Sequence, residues 1–528
     1  MPAADSADLS HAPSQAVVIG AGMGGLAAAI RLAAAGCRVT VVELADHPGG
    51  KARARPTVAG PAAMGPTVLT LRSEVDALFN LCGTKTEDEI DLIALPRLAR
   101  HWWPGSGPLD LYSDREANIE AIRAFAGSAE ADGFDRFDRQ ARALYDAFDL
   151  PVMRAPRPDL RGILRATLSN PTLWPALLPG MSLDRWLRGF FRDPRLRQLF
   201  GRYATYVGGR PARTPAVLGL VWQAEAQGVW AVRDGIQALA HALAQAAARI
   251  GVQFRYATRA RRIVRQSGHV TSVEIEGGAK LHCDMAIFNG DPRALAEGAL
   301  GDAARDALAK PALPAPSLSA WVWSFAAEAG GMTARDLVHH NLFFTADPAL
   351  EFGPIGQGQM PVSPTLYVCA QDRELGPAPA VERFQIIMNG PADRPAHPDE
   401  DRSCRDRTFT HLRSMGLGFT PVPTGECLTR PADLAARFPG SRGAIYGQTP
   451  EGMLAAFRRP VSRTRLPGLY LAGGGVHPGA GVPMALLSGR QASAQALSDL
   501  TSRSRSPPEA MPGGMSTGSR MTVRKPSR

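Results

Sequence analysis

Two short apolar runs flank an alanine-rich stretch near the start of the chain. The runs AVVIG (16–20) and RVTVVE (38–43) have the length and the β-branched composition of buried strands, and GLAAAIRLAAA (25–35) has the composition of a helix. Gly36 stands where the C-terminal cap of that helix is expected. The pattern predicts a strand–helix–strand unit with parallel strands, the building block of α/β folds.

The apolar pattern changes further along the chain. Helical periodicity broken by proline covers 96–220, a long helix and three strand-like runs cover 235–292, and more strand-like runs cover 313–387. A strand, a glycine turn and an alanine-rich helix return at 468–497. We therefore expect an α/β protein in which a Rossmann-like nucleotide-binding domain is interleaved with a mixed α+β substrate domain and a helical subdomain.

The expected boundaries divide the chain into six parts. The nucleotide-binding domain comprises 16–95, 225–300 and 441–498, the helical region 96–224, the substrate domain 301–440, and a disordered basic tail 499–528. The formal net charge is +10, and residues 501–528 carry six Arg or Lys and one Glu, hence +5 of that total. Because half of the excess lies in the tail, the charge does not indicate a nucleic-acid partner.

The composition also bears on location. Residues 1–15 lack the apolar core of a secretory signal, and no charge-free apolar run reaches the roughly 18 residues of a bilayer span. We expect a cytoplasmic protein. The segment 154–202 mixes ten Arg with several large aromatic residues, which favours peripheral contact with the inner or photosynthetic membrane, and the alternative is a helical subdomain that packs these aromatic residues inward.

The six cysteines are scattered along the chain. They form no CxxC pair and stand near no histidines at zinc-ligand spacing. We expect buried structural thiols and no metal site.

A glycine motif joins the first strand to the first helix. Gly20, Gly22 and Gly25 follow the GxGxxG spacing, in which the first glycine makes the tight turn, the second leaves room for a pyrophosphate and the third lets helix and strand touch. Glu43 ends the next strand, where a carboxylate can accept hydrogen bonds from ribose hydroxyls. The unit predicts a dinucleotide site.

The residues after Glu43 resemble a particular class of dinucleotide enzymes. Gly49, Gly50 and Lys51 resemble the GG-R/K continuation of flavoproteins that bind extended FAD, with Lys51 at the position of a pyrophosphate-contacting Arg. The blocks GPTVLT (65–70), LFGRYATYVGGRPARTPA (199–216), EAQGVWAVRDG (225–235), NGDP (289–292) and GLYLAGGGVHPGAGVPMALLSG (468–489) are similar to the bacterial carotenoid desaturases of the phytoene desaturase type. The second and third most resemble the branch acting on 1-hydroxy or 1-methoxy carotenoids.

The resemblance implies a set of site residues. The residues implied to bind FAD are Gly20, Gly22, Gly25, Glu43, Gly49, Gly50, Lys51, Gly65, Pro66, Thr67, Ala260, Gly473, Gly474, Gly481, Val482 and Met484. Trp230, His339 and His340 are candidates for substrate contact. His477 is a candidate base near the flavin, although an orienting or packing role fits it better because no neighbour in sequence would tune it.

The resemblance also implies a reaction. It is the introduction of the C3,4 double bond into an acyclic C40 carotenoid by hydride transfer to flavin, with oxygen or a quinone as the final electron acceptor. Alternatives within the class are desaturation of phytoene or neurosporene and carotenoid isomerisation. Amine oxidation on a related scaffold is a further enzymatic alternative, and a membrane-bound carotenoid carrier is the non-catalytic one.

Overall fold

The first strand–helix–strand unit forms as predicted. The computed structural model describes residues 13–308 and 313–505. The first part contains β1 Gln15–Ile19, α1 Met23–Ala34, β2 Arg38–Val42, β3 Ala54–Thr57, β4 Gly60–Ala63, α2 Ser73–Leu81, α3 Thr86–Glu89 and β5 Leu92–Ala94. Gly36 follows α1 with φ +88°, a left-handed conformation that glycine adopts without strain.

The helical region contains two short strands that the periodicity did not predict. It comprises β6 Ala99–Trp102, β7 Leu109–Leu111, α4 Arg115–Ala126, α5 Ser128–Phe148, α6 Leu160–Ser169, α7 Trp174–Leu177, α8 Leu183–Leu187, α9 Pro194–Gly201 and α10 Val221–Ala226. A π-helical turn, Asp149–Met153, follows α5, and 3₁₀ segments lie at Pro171–Leu173, Arg202–Val207 and Ala216–Leu220. Strands of three or four residues are too short to produce a recognisable alternation.

The next part returns to the nucleotide-binding domain. It comprises β8 Trp230–Val232, α11 Ile236–Arg249, β9 Gln253–Arg255, β10 Ala260–Gln266, β11 His269–Ile275, β12 Lys280–His282, β13 Met285–Phe288, α12 Pro292–Ala296 and α13 Asp302–Arg305. The rest comprises β14 Ser319–Gly330, β15 His340–Phe343, α14 Ala349–Gly356, β16 Leu366–Ala370, β17 Glu382–Gly390, α15 Glu400–Ser414, β18 Gly418–Thr420, β19 Leu428–Thr429, α16 Pro431–Arg437, α17 Ala455–Arg458, β20 Leu469–Leu471 and α18 Val482–Arg505, with 3₁₀ segments at Thr333–Asp336 and Gly425–Cys427.

A five-stranded parallel sheet organises the nucleotide-binding domain. Its strand order is β20-β13-β1-β2-β9, so the strand before the glycine motif lies in the centre. Ala16 and Val18 face a core formed with α1, α11 and α18, whereas Val17 and Ile19 face the three-stranded sheet β10-β11-β12. Burial on both faces explains why this strand reads as a continuous apolar run.

A second, larger sheet forms the substrate domain. The described strands follow the order β18-β14-β17-β16-β15-β6-β7, with β19 beside β14. Trp321, Trp323 and Phe343 pack on one face against α15 residues such as Phe409 and Leu412. Because successive side chains of a strand point to opposite faces, the alternate residues of β15, β16 and β17 are left to the other face.

The aromatic residues of the helical region pack mostly inward. Trp186, Phe191 and Phe200 are buried in a core with Phe134 and Phe137 of α5. The inward-packing alternative is therefore correct for these residues. Trp174 is half exposed and differs from them.

Two further expectations concern membranes and the chain end. Among residues 13–308 and 313–505, the structure contains no helix with the length and apolar character required to cross a bilayer. Helix α18 continues to Arg505, so the predicted tail boundary at 499 is too early by at least seven residues. The remaining tail, 506–528, lies outside the described residues.

Candidate active site

The turn between β1 and α1 leads into a helix whose first amides receive no side-chain cap from the residues that the structure describes. The Gly20 amide donates to the carbonyl of Val42 at 2.7 Å, and Gly20 has φ +102°. A Cβ on Gly25 would lie 2.1 Å from the carbonyl oxygen of Gly20, so helix and turn touch as the motif predicts. Helix α1 begins without a side-chain cap and without an acidic residue in its first turn, although Met23 and its neighbours are buried. Such a helix start provides N–H groups and a positive dipole end for an anion.

The Glu43 carboxylate is fixed beside this turn. One of its oxygens accepts the Ala21 amide at 2.6 Å, and the other accepts the Ala45 amide at 2.8 Å. These bonds hold the acid at the carboxyl end of β2, where the sequence placed it. Each oxygen retains a lone pair for a further donor.

Gly49 and Gly50 pack directly on the turn. The Gly49 amide donates to the carbonyl of Ala21 at 2.9 Å, and a Cβ on Gly50 would lie 3.1 Å from the Cα of Gly22. Lys51 points elsewhere, because its ammonium donates to the carbonyls of Ala444 and Ile445, each at 3.0 Å. Two of its three donors are thus bound to backbone, and its assignment to the pyrophosphate stays a prediction.

Asn289 is a site residue that the sequence analysis missed. Its Nδ2 donates to the carbonyl of Gly20 at 3.2 Å. A Cβ on Gly22 would lie 2.7 Å from the same nitrogen, and a Cβ on Gly473 would lie 2.9 Å from its Oδ1. The available signal was its place directly after β13, since the carboxyl ends of neighbouring parallel strands meet at the ligand-binding edge.

Arg459 was also missed. It is buried and donates to the carbonyls of Gly474 (2.7 Å), Tyr446 (3.0 Å) and Gln448 (3.2 Å). Burial lowers the pKa of Arg459 to about 10. The arginine holds the glycine-rich loop before α18 in place, and nothing in its local sequence distinguishes it from its basic neighbours.

The remaining predicted cofactor residues fall into two groups. Ala260 begins β10 and packs in the layer that contains Val42, so it lies on the side of Glu43. Gly65, Pro66, Thr67, Gly481, Val482 and Met484 line a large cavity. Gly473 and Gly474 lie between these groups, with the Gly473 amide donating to the hydroxyl of Ser488 at 2.7 Å.

The cavity has a volume of about 1270 Å³, above the usual range of roughly 300–1,000 Å³ for small-molecule sites. Alternate residues of the large sheet form its floor, namely Leu342, Phe344, Thr365, Tyr367, Ile387 and Asn389. Its walls include the π-helical turn and the segment before α8. It reaches the surface, because the exposed side chains of Leu178, Leu454 and Phe457 are part of its lining.

The predicted substrate residues do not line this cavity. Trp230 packs over Gly228 beside the helix core of the nucleotide-binding domain. His339 is buried and its Nδ1 donates to the carbonyl of Arg373 at 3.1 Å. His340 lies behind Tyr367, whose hydroxyl is 2.7 Å from its Nδ1. His340 lies in β15 of the large sheet and Trp230 in the separate β5-β8 pair, so contact of these residues with substrate stays a prediction.

His477 is a packing residue of the closing loop. It is buried, and its Nε2 donates to the carbonyl of Ala155 at 3.1 Å. Burial lowers the pKa of His477. The side chain ties the loop to the chain beyond the π-helical turn and is not part of the cavity lining, which agrees with the orienting role and not with a base.

Two polar pairs are part of the cavity lining. Arg202 and Glu225 form a buried ion pair at 2.9 Å beside Tyr206. Glu351 accepts from the Asn389 amide at 3.0 Å, and burial raises the pKa of Glu351 to about 7. The ion pair carries no net charge as a unit, and Glu351 is protonated over part of the neutral pH range.

Comparisons with known proteins agree with this site. The model of the flavin-containing amine oxidoreductase family matches residues 23–497. Hydroxyneurosporene desaturase of Rhodobacter capsulatus is 62% identical over 92% of this chain and 97% of its own, and that of Cereibacter sphaeroides is 57% identical over 93% and 98%. The crystal structure of an oxidoreductase from Methanosarcina mazei has a TM-score of 0.56 at 16% identity, covering 90% of this chain and 99% of its own.

The fold and the glycine-lined edge define a flavin-dependent oxidoreductase. The chain belongs to the flavin-containing amine oxidoreductase family, and within it to the hydroxyneurosporene desaturases. Its cofactor is FAD.

Proposed function

We propose that this protein introduces the C3,4 double bond into acyclic 1-hydroxy or 1-methoxy carotenoids such as hydroxyneurosporene. The observation that carries the proposal is the cavity, which runs from the predicted flavin-binding segments to exposed apolar side chains at the surface. Its lining is largely aliphatic and aromatic, as a long polyene requires. The names of the relatives at 62% and 57% identity support the same substrate class.

The residues of the nucleotide-binding edge fit FAD. The uncapped start of α1 offers amide donors and the dipole for the pyrophosphate, and Glu43 offers acceptors for the ribose hydroxyls. Gly473 and Gly474 permit close backbone approach near Asn289. One end of the cavity, next to this edge, is formed by segments 65–67 and 481–484, so these segments would flank the isoalloxazine ring of bound FAD.

Bound FAD would supply the hydride acceptor, and hydride abstraction is the more difficult step in the removal of two hydrogens from neighbouring carbons. The protein chain positions the substrate and excludes water from the cavity. Thr67 and Tyr367 are tied by a 2.6 Å hydrogen bond between their hydroxyls, which closes the polar atoms of this wall on one another and leaves an apolar surface to the substrate. Phe344, Leu342 and Ile387 extend that surface along the sheet.

The substrate is dissolved in lipid, and the surface around the cavity suits that source. Leu160, Leu164 and Leu168 of α6 are 66%, 59% and 64% exposed, and their spacing of four puts them on one helix face. Ile163 and Thr167 of the same helix line the cavity. We therefore place the protein at the cytoplasmic face of the inner or photosynthetic membrane, bound peripherally through this face.

The test is anaerobic turnover by the purified holoenzyme in detergent. With hydroxyneurosporene, we expect the flavin absorbance to bleach and the polyene absorption to shift to longer wavelength by one conjugated bond. Oxygen or a quinone should then restore the flavin absorbance. A polyene shift without flavin reduction, an isomer as the only product, or no change in either chromophore would contradict the proposal.

A further inference from the structure

A charged cluster is buried at the cavity wall. Arg202 donates to Glu225 at 2.9 Å, to the Tyr206 hydroxyl at 2.6 Å and to the Tyr203 hydroxyl at 3.3 Å. Tyr203 in turn donates to Glu225 at 3.2 Å. Arg202, Glu225 and Tyr206 line the cavity, whereas Tyr203 is fully buried beside it.

Within the described residues, the cluster has one donor and one acceptor without a hydrogen-bond partner, the Arg202 Nε–H and Glu225 Oε2. A guanidinium carries five N–H groups, and within the part of the chain that the structure describes the Nε–H of Arg202 has no hydrogen-bond partner. A buried donor without a partner costs free energy comparable to a lost hydrogen bond. Tyr206 is only partly buried and belongs to the cavity lining. Such a cluster favours a hydroxyl ligand, which can both accept and donate a hydrogen bond.

The cluster lies toward the flavin side of the cavity floor. Tyr367, bound to Thr67, stands opposite Ile387, and Gln385 of the same strand donates to the carbonyl of Gly65 at 2.8 Å. Burial raises the pKa of the Tyr367 hydroxyl, and the nearby Tyr206 adds to the rise. Asn389, which lines the cavity with Glu351, lies four residues or about 13 Å further along the strand from Gln385.

The position matters because of the substrate's own chemistry. A C1 oxygen is only two carbon–carbon bonds from C3, so it must lie within a few ångströms of the carbons that react at the flavin. An ether oxygen can only accept a hydrogen bond, whereas a hydroxyl can accept and donate. The Arg202 guanidinium at the cavity wall can donate to either oxygen, and Glu225 or the Tyr206 oxygen can accept from a hydroxyl.

We propose that Arg202 and Tyr206 bind the C1 oxygen of the carotenoid and thereby set which bond meets the flavin. This inference rests on the proposed function. Glu225 neutralises Arg202 and fixes its orientation, so the ion pair can stay in an apolar cavity. His339 and His340, the residues first expected to recognise this end, lie behind the wall.

The test compares two tyrosines of one cluster in the holoenzyme. Tyr206→Phe removes only the hydroxyl of the tyrosine that lines the cavity, and Tyr203→Phe, the matched control, removes the hydroxyl of the tyrosine that does not. For Tyr206→Phe we expect the KM for hydroxyneurosporene to rise about tenfold, with no change in the inhibition constant of neurosporene, the carotene that lacks the oxygen. For Tyr203→Phe we expect both constants to stay within about twofold of wild type.

A double variant provides an independent readout. Arg202→Met with Glu225→Leu removes both charges together and leaves no unpaired ion. We expect it to bind hydroxyneurosporene and neurosporene equally well. Three results would overturn the inference: parallel changes of both constants in Tyr206→Phe, the same shift in Tyr203→Phe, or retained discrimination between the two carotenoids in the double variant. In each case, turnover of hydroxyneurosporene by wild type would leave the proposed function standing. Failure of wild type to turn over hydroxyneurosporene would overturn both.

Discussion

Asn289 joins the two glycine-rich loops of the cofactor edge. Its amide contacts the carbonyl of Gly20, and its atoms occupy the space that a Cβ on Gly22 or Gly473 would need. Two physical reasons therefore explain why a glycine is needed at position 22. It leaves room for a phosphate, and it leaves room for the asparagine that connects β1 to β13.

Gly22→Val should remove FAD from the purified protein. A branched side chain would displace Asn289 and stand in the phosphate path, and overpacking of this kind costs about 1–3 kcal/mol, or about tenfold to a hundredfold in affinity. The measurement is the ratio of flavin absorbance to protein. Gly107→Val, at an exposed glycine with no atom near its Cβ position, is the control. Full FAD occupancy in Gly22→Val would contradict this assignment.

The sequence predicted those site residues whose role is local. One turn and the strand after the helix contain Gly20, Gly22, Gly25 and Glu43, so the spacing of these residues in the sequence was sufficient to predict how they lie together. The partners of Lys51 could not be predicted in this way, because its ammonium binds carbonyls almost four hundred residues away. Asn289 and Arg459 were missed for the same reason, since their partners are brought close only by the assembled sheet.

Glu351 predicts a pH dependence of stability. Burial raises its pKa from 4.5 to about 7 in the folded state. The stability contributed by the protonated acid is full below the unfolded pKa and is lost as pH rises through about 7. Glu351→Gln should therefore have a melting temperature close to that of wild type at pH 5 and a higher melting temperature than wild type at pH 8.5. At pH 8.5 its free energy of unfolding should exceed that of wild type by an amount on the order of 3 kcal/mol.

Thermal unfolding followed by circular dichroism at the two pH values measures this difference. Glu426→Gln, at an exposed acid, is the control and should track wild type. A Glu351→Gln variant that also tracks wild type at pH 8.5 would show that Glu351 ionises normally.

Among the elements, α6 stands apart because its apolar face has no protein partner among the described residues. Three leucines of this helix are more than half exposed, and Trp174 and Leu178 just beyond it are exposed to a similar degree. Arg161 and Arg165 lie on the same helix and are exposed as well. Exposed leucines beside arginines suit the boundary between acyl chains and anionic headgroups.

Replacing Leu160, Leu164 and Leu168 by Ser should reduce binding to anionic vesicles. Full insertion of one leucine side chain into an apolar environment contributes roughly 1.5–3 kcal/mol. Even if the three leucines insert only partly, their replacement should therefore lower the affinity for vesicles at least tenfold. Co-sedimentation with vesicles measures it. A control with Val58→Ser and Met332→Ser changes exposed apolar residues elsewhere and should bind normally. Equal binding of both variants would remove α6 from the interface.

At the same scale, the sequence predicted elements with strong periodicity and missed short or polar ones. The β1–α1–β2 unit and α11 were read correctly because burial on two faces or on one helix stripe leaves a long pattern. Strands β6 and β7 contribute only a few residues each to a sheet whose other strands lie more than two hundred residues away. The polar end of α18 reads as a tail by composition, although the structure continues the helix to Arg505.

For the whole molecule, FAD binding should be a large part of stability. Three distant segments supply the cofactor edge, and α1 packs so closely on α18 that a Cβ on Gly489 would lie 2.3 Å from the carbonyl of Gly24. At free FAD about 100 times its Kd, we expect about 2.7 kcal/mol of added stability. Thermal unfolding of apoprotein with and without FAD measures it. Riboflavin, which lacks the pyrophosphate, should shift the midpoint little, and an equal shift would contradict the role of the α1 turn.

The strand order also has a consequence for biosynthesis. Strand β1 lies between β2 and β13, and the loop at Gly473 must arrive before the edge near Gly22 is complete. At about 5–20 residues per second, a ribosome adds Gly473 between about 20 and 90 seconds after Gly22. The nascent chain therefore carries an open nucleotide cleft for most of elongation, and cofactor capture follows the synthesis of the loop at Gly473.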